Sequence, residues 1–277
     1  MKALTIAEIS DPMSPFILQG RSFVRSLALA QEFGFEGVEL QLRAPEDLDR
    51  QFMQECERRS ILPVSIATGL ACREGLSLSS TDGRIRTASV KRICSQIDLA
   101  KAMGCAPAVM IGLMIGRREK DDPTEAYLGR LSDSFLRITE YAEKKDIQIN
   151  LEPVNHHASN MLNTWQQVDA FLTVAGCTPV KIGMDLYHML QEETDPVSTF
   201  LNYSDRVGCV QLMDSNRKAP GLGDYAFDAL IKAIKTSGYR GPVIMECLPL
   251  PDPETALEMS QRFFNTYFDE NKQEGKR

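Results

Sequence analysis

Residues 176–189 read GCTPVKIGMDLYHM, and the stretch falls into three parts. Gly176 can take the left-handed conformation that ends a helix, and Pro179 keeps that helix from continuing. An apolar run beginning at Val180 follows, without the strict alternation of a strand that faces water on one side. Such a run suits a parallel strand covered on both faces. It ends at Asp185, and His188 follows three residues later. A segment suited to burial thus finishes in two groups that resist burial.

The same junction recurs along the chain. Gly34-Phe35-Glu36-Gly37-Val38, Gly104-Cys105-Ala106-Pro107-Ala108 and Gly238-Tyr239-Arg240-Gly241-Pro242-Val243 each close a helical pattern with glycine and open an apolar run. Successive junctions lie about two strand–helix units apart. Candidate strands fall at 3–9, 37–42, 62–67, 108–111, 147–152, 180–185, 208–213 and 243–247. Segments of helical period separate them, for example SFVRSLALAQEFG, SVKRICSQIDLAKAMG, YLGRLSDSFLRITEYAEKKD and AFDALIKAIKTSG. Eight strands and about eight helices without a break in composition predict a single (β/α)8 TIM barrel over residues 1–267. Residues 268–277, FDENKQEGKR, read as a polar, solvated C-terminal tail. A doubly wound open sheet would carry G-x-G-x-x-G after its first strand, and none is there.

The 277 residues are 43% hydrophobic and 25% charged, an ordinary globular balance for a chain long enough to bury its own core. A net charge of −7 and the absence of a basic stripe argue against a nucleic-acid partner. The first residues, MKALTIAEISDP, do not form a signal peptide, and no run of eighteen apolar residues offers a membrane span. Seven widely spaced cysteines, odd in number and without C-x-x-C, suit a reduced cytoplasm.

In a parallel barrel the active site lies where the strands end. The fifth strand ends in INLEPVNHH with Glu152 at its tip, and the sixth ends at Asp185. The seventh, GCVQLMDSNR, carries Gln211 and then Asp214 and Arg217; the eighth, PVIMECLP, ends at Glu246. All three histidines, 156, 157 and 188, follow two of these ends. Singly, a carboxylate at a strand tip is more often a helix cap or a surface ion pair. A histidine after a strand is usually a hydrogen-bonded loop residue, and Gln211 alone could be a satisfied core amide. Together, three carboxylates and an amide on four successive strands converge on one axis. Buried carboxylates repel unless a cation or protons compensate. A divalent metal held by Glu152, Asp185, Gln211 and Glu246 is the economical reading. Oxygen donors favour Mg2+ or Mn2+ over Zn2+, with Co2+ as a further candidate.

At these residues the sequence resembles the sugar isomerase/epimerase superfamily of xylose-isomerase-like TIM barrels, and within it the ketose 3-epimerases. The resemblance covers most of the chain and is tightest over 150–248, where LEPVN, MDLYHM, DSNRKAPGLGD and IMECL match the family's motifs in order and spacing. It implies that Glu152, Asp185 and Glu246 bind a divalent metal. The two glutamates would also act as acid and base on either face of a sugar, while His188 and Arg217 hold substrate oxygens. Gln211 departs from the pattern. Ketose 3-epimerases carry histidine there, whereas hydroxypyruvate-isomerase-like relatives and some dehydratases of the superfamily carry glutamine. DLYHM and Leu162-Asn163-Thr164 also resemble the hydroxypyruvate isomerase pattern, while DSNRKAPGLGD leans toward the sugar epimerases.

The resulting expectation is proton transfer beside a carbonyl in a ketose, keto-sugar or keto-acid, through an enediolate that the metal would stabilise. Glu152 and Glu246 form the acid–base pair, and His188, Arg217, Asn155 and His157 contact the substrate. A lyase that removes water from an inosose or a dehydroshikimate-like ring would use the same groups. A DNA-repair endonuclease on this barrel would need a histidine-rich zinc cluster and a basic groove, and a non-catalytic sugar binder would need no paired acid and base. A homodimer or homotetramer in the cytoplasm is expected from the resemblance.

Overall fold

Side chains alternate along each strand, one set facing the barrel axis and the other the surrounding helices. The computed structural model describes residues 1–269, apart from Pro12 and Ala106. The strands are β1 Lys2–Ile6, β2 Gly37–Gln41, β3 Leu62–Ala67, β4 Ala108–Ile111, β5 Ile149–Leu151, β6 Lys181–Asp185, β7 Val207–Leu212 and β8 Val243–Met245. All pair in parallel and in sequence order, and β8 closes on β1 through Ala3 beside Ile244. The α-helices among the described residues are α1 Phe23–Glu32, α2 Phe52–Arg59, α3 Gly83–Ala102, α4 Thr124–Lys145, α5 Trp165–Val174, α6 Leu186–Glu192, α7 Pro196–Asn202, α8 Asp228–Thr236 and α9 Pro253–Tyr267. This is the (β/α)8 barrel that the glycine junctions predict. Gly34, Gly104, Gly176 and Gly238 all lie in the left-handed region, with φ from 70° to 82°.

The main core lies between barrel and helices. Leu4, Val38, Leu40, Val109, Ile182 and Met184 point outward into it and meet residues such as Phe23, Leu131 and Phe264. A smaller apolar plug of Ala3, Ala67, Met110, Cys209 and Ile244 fills the barrel interior. Met110 fits across the axis because residue 183 is glycine; a Cβ there would collide with its sulfur. The same inward set carries Glu39, Gln41, Asn150, Asp185, Gln211 and Glu246, all buried. The polar groups therefore sit on an apolar plug with helices packed around them.

Most strand boundaries shift by a residue or two from the sequence expectation, and three elements differ more. β1 stops at Ile6 because the chain turns back, with Ala7 donating to the Leu18 carbonyl and Gly20 to that of Ile9. β5 and β8 end before Glu152 and Glu246, although each glutamate N–H still bonds the preceding strand, to Ile111 at 2.8 Å and Leu212 at 3.2 Å. The crossover from β6 to β7 is split into α6 and α7, with Asp195 capping the second helix and Pro196 at its first turn. At the C-terminus, Phe268 packs 5.6 Å from Phe264 and Asp269 pairs with Lys2, so the expected tail begins against the barrel. Residues 270–277 of that tail lie outside the described residues. Among the described residues, no helix is long and apolar enough to cross a membrane.

Candidate active site

Glu152, Asp185, Gln211 and Glu246 project from the ends of four consecutive strands. Asp185 and Gln211 are direct neighbours in the β6–β7 register. Glu152, His188, Gln211, Arg217 and Glu246 line one cavity of about 250 Å³ at the C-terminal mouth of the barrel, together with Gln41 and Arg73. Glu152 reaches the cavity past Gly112, where any Cβ would run into its carboxyl group.

Asp185 has two tasks. Its Oδ1 accepts the His188 N–H at 3.1 Å and so caps α6, while Oδ2 faces the Arg217 guanidinium at 3.3 Å. The ordinary reading of an aspartate at a strand tip, a helix cap, therefore holds together with the functional one. His188 comes back over the site one helical turn later. Its Nδ1 accepts the Asn155 N–H at 3.2 Å, which leaves the proton on Nε2. Nε2 faces Glu152 Oε1 at 3.9 Å and Asp185 Oδ2 at 3.8 Å. Glu152, Asp185 and His188 each offer an atom within 4.8 Å of the other two. With Nε2 protonated, however, His188 presents a donor to the cavity and not a lone pair for a metal. Burial lowers the His188 pKa, against the opposing pull of Asp185.

Arg217 sits in the loop after β7, which Asp214 holds together. The buried Asp214 carboxylate accepts the N–H groups of Ser215 at 2.8 Å, Gly221 at 2.8 Å and Tyr225 at 3.0 Å. Arg217 closes a tight turn with φ of 62° and its N–H on the Asp214 carbonyl. Its guanidinium lies 4.7 Å from the centre of the Tyr187 ring and 3.8 Å from Glu246 Oε2. One cation thus faces three carboxylates. Burial, reinforced by Asp185, pushes both Glu152 and Glu246 well above the usual carboxylate range. Burial also acts against Asp185, but His188 and Arg217 outweigh it and hold Asp185 below its ordinary value.

The donor set suits a hard cation. Gln211 Oε1 and Glu246 Oε2 are buried oxygens without a hydrogen-bond partner, and every group offered by residues 152, 185, 211 and 246 is an oxygen. Two other residues named from the sequence lie apart. Asn155 is buried but its side chain accepts the Ala158 N–H at 3.1 Å, so it reaches the site only through its backbone bond to His188. His157 is exposed, stacks on His156 with ring centres 3.9 Å apart, and is not among the cavity-lining residues. Two inward residues of β2 were not singled out by strand-end reasoning. Gln41 donates to Glu246 Oε1 at 3.3 Å, and Glu39 accepts from Gln211 Nε2 at 2.8 Å. Their signal is the alternation in GVELQ, polar at every second position of a strand expected to be buried on both faces.

A closed parallel barrel with carboxyl groups, an amide and an arginine gathered at the C-terminal ends of its strands is the architecture of an α/β barrel with a site at that mouth. Residues 27–267 match the xylose isomerase-like TIM barrel family, and the chain belongs to that family. It is similar to a ketose 3-epimerase from Arthrobacter globiformis, 28% identical over 221 residues that cover 80% of this chain and 76% of that protein. It is also similar to a hydroxypyruvate isomerase from Escherichia coli K12, 26% identical over 259 residues, covering 88% of this chain and 93% of that one. The structure of a D-allulose 3-epimerase from Methylomonas sp., in complex with D-allulose, superposes with a TM-score of 0.80 at 20% identity and covers 96% of each chain, a likeness of fold. The protein is accordingly an enzyme of the isomerase/epimerase class.

Proposed function

We propose that the protein is a divalent-metal-dependent epimerase or isomerase of a ketose or keto-sugar, acting by proton transfer at a carbon beside the carbonyl. The observation that carries this reading is the pair Glu152 and Glu246. They line one cavity from non-adjacent strands, and burial, reinforced by Asp185, raises the pKa of both above the ordinary carboxylate value. A general acid and base need pKa values near the working pH, and such a pair contributes roughly 10²–10⁴-fold in rate. Mn2+ or Mg2+ held by Glu152, Asp185, Gln211 and Glu246 would supply positive charge beside the oxygen that becomes negative in the enediolate.

The chain's own residues account for the rest. One glutamate takes the proton from carbon. The other returns one to the opposite face in epimerisation, or to the neighbouring carbon in isomerisation. Gln41 holds Glu246 by its Oε1, leaving Oε2 free to exchange a proton. His188 Nε2–H and the Arg217 guanidinium donate to substrate oxygens, and both are oriented by the backbone before substrate arrives. Met13, Phe16, Leu70 and Leu113 line the outer wall and exclude water from the reacting carbon. Glu152→Gln and Glu246→Gln should each lower turnover at least 10³-fold while the protein still folds and unfolds cooperatively. Substantial turnover in either variant would remove the mechanism.

Isomerisation of a hydroxypyruvate-type keto-acid is the second reading. Gln211 favours it, as does the 93% of the Escherichia coli hydroxypyruvate isomerase that the chain matches. Proton-exchange assays with ketoses and keto-acids side by side separate the two.

A further inference from the structure

Glu39 is a fully buried carboxyl group on the inward face of β2, outside the cavity and, among the described residues, without a cationic partner. Its Cα neighbours across the barrel wall are Thr5 on β1 and Ser65 on β3. Two donors converge on a single oxygen: Gln211 Nε2 at 2.8 Å and Thr5 Oγ1 at 3.2 Å both reach Glu39 Oε1. An isolated carboxyl in a barrel interior is costly to bury, and a plain core residue would avoid that cost. The question is what the group does there.

A glutamine amide can present either end to a neighbour, and the two orientations occupy the same space. Only one of them offers an oxygen to a cation. In the protein Gln211 Nε2 is turned away from the cavity onto Glu39, and Gln211 Oε1 is left buried with no partner. The opposite orientation would set Gln211 Oε1 against Glu39 Oε1, two acceptors at hydrogen-bond distance. It would also turn the NH2 group toward the cations that Glu152, Asp185 and Glu246 are disposed to bind.

We infer that Glu39 is a positioning residue that fixes the amide of Gln211 with its carbonyl oxygen toward the metal-binding cavity. The inference rests on the metal-dependent reading of the site. Glu39 meets no substrate and no metal; it acts through Gln211 alone. Thr5 is the supporting donor that keeps the accepting oxygen of Glu39 in place.

The test is Mn2+ binding to metal-stripped protein, measured by calorimetry with no substrate present, alongside the melting temperature of each stripped variant. Glu39→Asp keeps the carboxyl group but withdraws the acceptor by one methylene. Glu39→Gln loses the ionisable group but can keep a carbonyl oxygen where Thr5 and Gln211 donate. Glu39→Asp should weaken Mn2+ binding at least tenfold, in the range of 10–100-fold typical for lost outer-shell partners. Glu39→Gln should stay nearer the wild type. In a Gln211→Glu background, where residue 211 has an oxygen at either end, Glu39→Asp should cost less than threefold.

A loss below tenfold in Glu39→Asp overturns the inference, as does Glu39→Gln binding no better than Glu39→Asp. An undiminished loss in the Gln211→Glu background also overturns it, because Glu39 would then act by some route other than residue 211. If the wild-type protein itself binds no Mn2+, the functional reading falls and this inference falls with it. If the wild type binds and only the order of the variants fails, the functional reading stands.

Discussion

Loading the site with a divalent cation should expel protons, because two of the carboxyl groups it would meet are held above their ordinary pKa. Among the described residues, the Arg217 guanidinium is the cationic group that meets Asp185 and Glu246, at 3.3 and 3.8 Å. Asp185 is held below the usual carboxylate range, so it is the ionised member, while burial pushes Glu152 and Glu246 well above that range. A cation needs ionised ligands, so binding should release protons wherever the raised glutamates still carry them, and the release should grow as pH falls. Each released proton makes apparent affinity fall about tenfold per pH unit on acidification, since one pH unit is about 1.4 kcal/mol per proton. The same shifts set the pH dependence of stability. A raised folded-state pKa stabilises the metal-free fold below the ordinary carboxylate value, and that contribution is lost as pH rises through the raised values. Metal-free protein should therefore melt at progressively lower temperature from about pH 4.5 upward, and Mn2+ should remove the decline. Calorimetry at pH 6 in buffers of different ionisation enthalpy counts the protons. Release of none, with Mn2+ bound, would show that the two glutamates are already ionised and that the acid–base assignment fails.

Three further outcomes follow from single contacts. Gly112→Ala should leave the melting temperature within a few degrees but cut turnover about 10²-fold, because the new methyl displaces the Glu152 carboxyl; wild-type turnover would mean that Glu152 need not be where it stands. Asp214→Asn should cost about 3 kcal/mol in chemical denaturation and raise KM, since the Asp214 carboxylate holds the loop that carries Arg217. Burial raises the Asp214 pKa but its backbone donors lower it further, so this stabilisation is present above the ordinary carboxylate value and lost as pH falls through the lowered one. His188→Phe should lower kcat/KM by 10²–10³-fold while leaving Mn2+ affinity within about threefold, since a ring protonated on Nε2 donates to substrate and does not ligate. A large loss of metal affinity would make His188 a ligand.

How much of this was legible in the residues depended on which rule governed them. The glycine junctions and continuous apolar strands report backbone geometry and two-sided burial, and both survive into the barrel without change. Glu152, Asp185, Gln211 and Glu246 were legible because a parallel barrel gathers its strand ends in one place whatever the loops do. Glu39 and Gln41 were not, because attention to strand tips passes over the strand interior. Their positions could have been read from the alternation in GVELQ, which a strand covered by apolar groups on both faces has no reason to show. Asn155 and His157 lie on a loop, and loop side chains follow local hydrogen bonds that spacing does not reveal. Asn155 turns to the Ala158 N–H and His157 to the ring of His156. The split of the β6–β7 crossover into α6 and α7 follows from Asp195-Pro196, a cap and first-turn pair legible in hindsight.

The central claim is that Glu152 and Glu246 move a proton at carbon beside a carbonyl, with help from a divalent cation. The most direct measurement is solvent deuterium exchange. Protein stripped and reloaded with Mn2+ is incubated in D2O with ketoses, keto-acids and inososes, and NMR follows the protons beside each carbonyl after the metal is removed. One such signal should disappear with Mn2+ present, persist without it, and persist in Glu152→Gln and Glu246→Gln. Turnover of a substrate with full retention of those protons, or exchange at an undiminished rate in either variant, would contradict the claim.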